Sequence, residues 1–256
     1  MTTEPSRDLT RALTEYAAQI PVPVSRRLAA AFAEVTASGA APGLAVGEQA
    51  SLFSLPDATG QMVELAARLE QGPVVLSFYR GEWCPFCNLE LRALQAALPR
   101  LRARGASLIA ISPQSPDHSL SITEKAGLTF DVLSDARQQV IRAYRLQFTV
   151  PADLKDLHLN VFGNDLSAHT ADGSWDLPIP ATFEQPKLNS STAAATAGTP
   201  AGTTDAAALL SARLEPSSPA LPLSLGFAAA IPVSWLQRRV RRRAARHRAT
   251  RRDAPD

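Results

Sequence analysis

The sequence predicts an α/β fold, a central mixed sheet with helices on both faces, and three observations carry that reading. Residues 74–79 and 107–111 are nearly continuous apolar runs, as in strands covered on both sides. Residues 84–103 place Leu89, Leu91, Leu94, Ala97, Leu98 and Leu101 between polar gaps, a helical pattern. Strand-like and helix-like segments alternate from residue 52 to residue 144, the order that layers helices against a sheet.

Two helices precede this alternation. Leu9, Leu13, Tyr16, Ala17 and Ile20 have helical spacing over 7–20, and Leu28, Phe32 and Val35 over 25–38, with Pro21-Val22-Pro23-Val24 between them. No chemistry is visible there, and a helical lid or a homodimer contact is the plain reading. After Ala41-Pro42-Gly43 come a short strand at 52–55, a helix at 62–70 and the strand at 74–79. The helix at 84–103 and the strand at 107–111 follow. Next come a helix at 116–126, a strand at 130–133 and a helix at 136–144. Residues 148–175 read as irregular apart from a short helix at 152–159. Residues 177–183 read as a turn feeding a strand.

The character of the chain then changes. Residues 189–209 are mostly Ser, Thr, Ala and Gly, a composition with little to bury, so a poorly structured tail is expected. Residues 219–236 are mostly apolar, but three prolines, a glycine and serines interrupt them, which argues against a membrane span. Nine arginines follow position 237, without interleaved aromatics or zinc-ligand spacing. The end reads as a solvated basic tail with no specific nucleic-acid partner. The expected division is therefore an N-terminal helical extension at 1–43, a core at 44–183 and a low-complexity, Arg-rich tail at 184–256.

The 256 residues, 45% of them hydrophobic, suffice for one well-cored domain and an accessory segment. The two cysteines sit three positions apart, unlike the scattered cysteines of a disulfide-stapled secreted chain. The N-terminus has no apolar signal core, so a reducing cytoplasm is the expected compartment.

Those cysteines carry the chemistry. In Trp83-Cys84-Pro85-Phe86-Cys87 a strand runs through a sharp connection into a helix that opens at Cys84. Free backbone N–H groups and the helix dipole stabilise a thiolate there. Cys87 lies one turn on, within reach of a disulfide. Pro85 suits the first helical turn because its missing N–H has no helical bond to lose. Arg80, at the strand end, adds positive potential. A zinc site would need two further ligands, and the histidines at 118, 158, 169 and 247 show no paired spacing. A redox pair is the reading that fits.

The stretch Ser77-Phe78-Tyr79-Arg80-Gly81-Glu82-Trp83-Cys84-Pro85-Phe86-Cys87-Asn88-Leu89-Glu90-Leu91 resembles the active-site segment of peroxiredoxin-like proteins of the alkyl hydroperoxide reductase and thiol-specific antioxidant family, which has a thioredoxin-like fold. Val46-Gly47-Glu48 and Phe53-Ser54-Leu55-Pro56-Asp57 resemble that family's opening strand, and Trp175 to Phe183 its later signature. Pro180 falls where thioredoxin folds usually carry a cis-proline.

The resemblance implies a thiol-dependent peroxidase. Cys84 would attack a peroxide and become a sulfenic acid, helped by Arg80. Cys87 would resolve it to a disulfide, and thioredoxin or a similar dithiol would reduce that bond. An exposed, low-pKa thiolate is expected, and no metal or organic cofactor is required. Trp83, Pro85 and Pro180 would support the site.

Two departures stand out. The family's threonine, three residues before the attacking cysteine, is here Gly81. The family's closing hairpin and helix are not recognisable after Phe183, where Pro186 is a poor member of an interior strand. A general thiol–disulfide oxidoreductase and an inactive or interaction protein are the alternatives.

Overall fold

The computed structural model describes residues 5–45 and 47–188. The low-complexity stretch, the apolar run at 219–236 and the Arg-rich end lie outside the described residues.

The helices α1 (Pro5–Ala18) and α2 (Val22–Ala37) come first, with Pro21 as the cap of α2. The strands β1 (Ser54–Pro56) and β2 (Met62–Glu64) then form an antiparallel hairpin, followed by the helix α3 (Leu65–Gln71). The expected helix at 62–70 is thus corrected: its first three residues are strand. The cause is the turn between the strands. Asp57 Oδ1 accepts from the Thr59 and Gln61 N–H groups, and Gly60 takes φ +87°, closing the chain back on itself.

The strands β3 (Val74–Phe78), β4 (Ser107–Ser112) and β5 (Asp131–Ser134) run parallel, and β8 (Ala181–Gln185) adds antiparallel to β3. The order across this mixed sheet is β5-β4-β3-β8. The crossovers are α4 (Pro85–Arg102) and α5 (Pro116–Ala126). The sixth helix, α6 (Gln139–Ala143), is shorter than the predicted 136–144.

Period-two alternation sorts the sheet's two faces. Val74, Leu76 and Phe78 of β3, with Ile109 and Ile111 of β4, pack against Leu65 and Leu69 of α3 and Ile141 and Tyr144 at α6. Leu108, Ala110 and Val132 face the other way, onto Leu91 and Leu98 of α4 and Ile122 of α5. Helices therefore cover both faces, as in a thioredoxin-like sheet. The strand β8 ends at Gln185, immediately before Pro186, and is one of the sheet's two outer strands among the described residues, β5 being the other.

The segment that reads as irregular is more ordered than its sequence indicates. The strands β6 (Gln147–Thr149) and β7 (Asp176–Pro178) pair antiparallel, so residues 176–178 are strand rather than turn. Between them α7 (Ala152–Asp156) runs into a π-helical turn at Leu157–Val161. Strands of three residues are too short to show a period. Phe148, Val150, Leu154, Leu157, Leu166 and Leu177 join Ala31 and Val35 of α2 in a third cluster that reaches Trp83. No helix among the described residues is long and apolar enough to cross a membrane.

Candidate active site

Residues 79–88 carry the chain from β3 into α4. Tyr79 N–H donates to Ile111 O, extending the ladder past the end of β3. A turn follows, in which Cys84 N–H donates to Gly81 O at 3.1 Å. Cys84 is the N-cap of α4 and Pro85 its first residue, where a proline loses no helical bond. Two further bonds hold the turn: Glu82 N–H donates to Gln114 Oε1 at 2.7 Å, and Asn88 Nδ2 donates to Glu82 O at 2.8 Å.

Gly81 has a local cause. Its φ is +154°, a conformation that residues with a side chain rarely adopt. A Cβ there would stand 2.6 Å from Trp83 Nε1 and 2.9 Å from the amide carbon of Gln114. The place of the family's threonine is thus filled from two directions by other side chains.

The two thiols are free, and Cys87 Sγ lies 2.9 Å from Cys84 Sγ, to which it donates. That hydrogen bond is the main reason the Cys84 thiol is pulled down to about 7. Burial opposes the shift, and the Arg80 charge and the Cys87 and Phe86 N–H groups reinforce it. The proton that stabilises one sulfur is held on the other. The same bond, with burial and the charge of Cys84, therefore pushes the Cys87 thiol well up.

The expected exposure is corrected: Cys84 retains 3% and Cys87 2% of their accessible surface. The helices that looked chemically silent supply part of the cover. Tyr16 of α1 meets the Phe86 ring edge-on at 5.1 Å, and the Phe32 ring of α2 lies 4.8 Å beneath the Arg80 guanidinium carbon. Arg80 sits at the end of β3, with its charge felt by Cys84, Cys87, Glu90 and His158. Glu90, two turns into α4, is pushed up by burial, with Arg80 opposing. Pro180 lies half-buried between β7 and β8. All peptide bonds among the described residues are trans, which corrects the cis expectation at Pro180.

Three histidines without paired spacing in the sequence are brought together around Trp83. The Trp83 ring lies 5.4 Å from that of His158 and 6.4 Å from that of His169, and His169 lies 5.8 Å from His118. His118 Nδ1 is 2.7 Å from Glu82 Oε1, and Lys125 Nζ is 3.5 Å from Oε2. Burial raises the Glu82 carboxyl, but hydrogen bonds to His118 and Ser121 and the Lys125 charge outweigh it, leaving the group below its ordinary value. His158 is depressed to about 4 by burial and by Arg80. These rings do not form a metal centre: among the described residues no group of three His, Cys, Asp or Glu is placed to hold an ion.

Gln114, Phe32 and the histidines were not singled out as site residues from the sequence, because they reach the cysteine turn across 30 or more residues, and Glu82, in the turn itself, finds its partners at that distance. One signal was available for Gln114. It follows β4, beside the carboxyl end of β3, where parallel sheets place their sites.

The family model of the AhpC/TSA family matches residues 46–184, more than half of the chain. The protein belongs to the AhpC/TSA family. Peroxiredoxin Bcp of Escherichia coli (strain K12) is 32% identical over 101 residues, which cover 40% of this chain and 64% of the relative, less than two thirds of its length. The thiol-disulfide oxidoreductase ResA of Halalkalibacterium halodurans is 30% identical over 125 residues, covering 48% of this chain and 68% of the relative. The crystal structure of the peroxidoxin BcpB from Mycobacterium tuberculosis matches with a TM-score of 0.42 at 22% identity, covering 59% of this chain and 91% of that one.

Proposed function

We propose that this chain is a thiol-dependent peroxidase acting on hydrogen peroxide or alkyl hydroperoxides. The observation that carries the reading is the divided sulfur pair: a helix-capping Cys84 held near pKa 7, with a protonated Cys87 at 2.9 Å. The Cys84 thiolate attacks the terminal oxygen of ROOH. An S–O bond forms as the O–O bond breaks, the hydroxyl proton stays on the new sulfenic acid, and the alkoxide takes a proton from water. The Cys87 sulfur then attacks Cys84; a disulfide forms and water leaves. An external dithiol, thioredoxin or a similar protein, reduces that bond by exchange and is itself oxidised. Arg80 supports the thiolate by its charge, and Trp83 and Pro85 shape the turn. The cytoplasm supplies such a reductant, and the N-terminal helices offer the face for a homodimer.

A second reading, a general thiol–disulfide oxidoreductase, is favoured by Gly81, which removes the family's substrate-orienting hydroxyl. Peroxide consumption by the reduced protein separates the two. Rapid, stoichiometric loss of thiols with hydrogen peroxide supports the peroxidase. A slow peroxide reaction beside rapid reduction of a protein disulfide supports the second reading.

A further inference from the structure

Arg80 carries its charge beside the sulfurs without a carboxylate partner. Among the described residues its guanidinium makes no ion pair and no hydrogen bond, and Nε is buried. The Phe32 ring lies 4.8 Å beneath the guanidinium carbon. A cation partly withdrawn from water gains from any anion placed beside it. The same residue's main-chain N–H donates to the Cys87 sulfur, while the Cys87 and Phe86 N–H groups serve Cys84. Each sulfur thus has a main-chain donor of its own, and the Arg80 charge reaches both. The sulfurs are 2.9 Å apart, so closing to a disulfide bond of about 2.05 Å brings them only about 0.9 Å nearer. Neither leaves the reach of Arg80.

We propose that Arg80 serves both halves of the reaction, holding the Cys84 thiolate for the attack on peroxide and then the Cys87 thiolate for the attack on Cys84. The proposal rests on the peroxidase reading. In the reduced pair the bond to Cys84, burial and the charge of Cys84 keep the proton on Cys87. The first step uses up that charge. A sulfur lone pair forms the S–O bond, the O–O pair leaves on the alkoxide, and Cys84 becomes a neutral S–OH. Two of the three influences on the Cys87 proton then vanish; burial remains, opposed by the Arg80 charge and N–H. Cys87 gives up its proton and attacks Cys84, the S–O bond breaks, and the departing hydroxide takes up a proton as water. Oxidation of one sulfur thereby activates the other.

The other ionisable groups here are Tyr79, beside Cys87, and Glu90 and His158, which share the Arg80 charge. Burial lifts Tyr79 well above its ordinary value and brings His158 down to about 4, so both are neutral from pH 6 to 10. Glu90, raised by burial against Arg80, is the group that competes with Cys87 for the charge.

The test uses the full reduced chain with dithiodipyridine in place of peroxide. The Cys84 thiolate attacks the reagent, forms a mixed disulfide and releases one pyridinethione. Cys87 then attacks the Cys84 sulfur, the Cys84–Cys87 bond forms and a second pyridinethione leaves. Only the first phase depends on reagent concentration, so absorbance separates the two. The second reports the Cys87 thiolate with the charge on Cys84 removed. Its pH dependence is measured from 6 to 10 in the unsubstituted protein, Arg80→Lys, Arg80→Met, Arg80→Gln and Glu90→Gln. The two neutral replacements differ in shape and polarity, so the result does not hang on the folding of one.

Both neutral replacements should raise the midpoint of the second phase by about one pH unit and slow it roughly threefold to tenfold at pH 7. Arg80→Lys, which keeps the charge, should stay within about twofold of the unsubstituted protein, and Glu90→Gln should not slow the phase. An unchanged second phase beside a slowed first one overturns the proposal, since Arg80 would then serve Cys84 alone. Equal slowing in Arg80→Lys also overturns it, because shape rather than charge would then matter. Equal slowing in Glu90→Gln does the same, by showing that Arg80 acts through Glu90. If the unsubstituted protein completes both phases yet leaves hydrogen peroxide unconsumed, the peroxidase reading has failed, and the two phases still decide the role of Arg80.

Discussion

Cys87 Sγ lies 2.9 Å from Cys84 Sγ and donates to it, and this single contact splits the two thiols in opposite directions. Only the deprotonated sulfur reacts, so alkylation of Cys84 should fall about tenfold per pH unit below 7 and level off above 8. Removing the donor with Cys87→Ala should move that midpoint toward the ordinary value of about 8.5. Cys87→Ser, whose hydroxyl still donates, should stay closer to the unsubstituted protein. A pH profile of iodoacetamide labelling checks all three, and an unmoved midpoint in Cys87→Ala contradicts the assignment.

Restoring the family's residue with Gly81→Thr should destabilise the protein. The new side chain meets Trp83 Nε1 and the Gln114 amide, and the backbone at φ +154° adds strain. A cost of about 1–3 kcal/mol is expected from such a conformation. Urea unfolding measures it, and a change below about 0.5 kcal/mol, within the ordinary range for surface substitutions, would show that the turn yields easily.

His158 makes stability depend on pH. Its folded-state pKa is about 4, against 6.5 for an ordinary histidine. Between those values the unfolded chain binds a proton that the folded chain refuses. The contribution is therefore present above pH 6.5, is lost as pH falls toward 4, and changes no further below that. In His158→Phe, which keeps a ring against Trp83 and Phe162, the melting temperature should decline less over this window. Equal declines in the two proteins would mean that other groups carry the dependence.

The cover over the thiols should be adjustable at Tyr16. Its edge-on contact with Phe86 is of a kind worth about 0.5–1.5 kcal/mol, a factor of about 2–10 in an opening equilibrium. Since Cys84 is buried, its labelling by a bulky maleimide requires local opening. Labelling of Tyr16→Ala should accelerate by that factor while the iodoacetamide pH midpoint stays near 7. Unchanged labelling would place the opening elsewhere.

The sheet and the thiol pair were legible in the sequence because each is written locally. The runs at 74–79 and 107–111 are apolar throughout, and the cysteines are three residues apart at a helix start marked by Pro85. The expected helix at 62–70 overran the strand Met62–Glu64 because the side-chain bonds of Asp57 that close the turn lie outside that window. The π-helical turn and the three-residue strands β6 and β7 are stabilised by tertiary burial, which leaves no period to read. Gln114 and the histidines were hidden for a related reason. Their partners Glu82 and Trp83 are distant in the chain, and only the parallel pairing of β3 with β4 brings Gln114 to the turn.

The central claim is that Cys84 reduces peroxide and Cys87 resolves the product. Stopped-flow mixing of the fully reduced protein with hydrogen peroxide, with thiols and sulfenic acid quantified by mass spectrometry, tests it most directly. Rapid loss of one equivalent of peroxide is predicted, ending in a Cys84–Cys87 disulfide. Cys84→Ser should abolish the reaction, and Cys87→Ser should halt it at a sulfenic acid on Cys84. A folded, reduced protein that alkylates at Cys84 yet leaves hydrogen peroxide unconsumed would contradict the account.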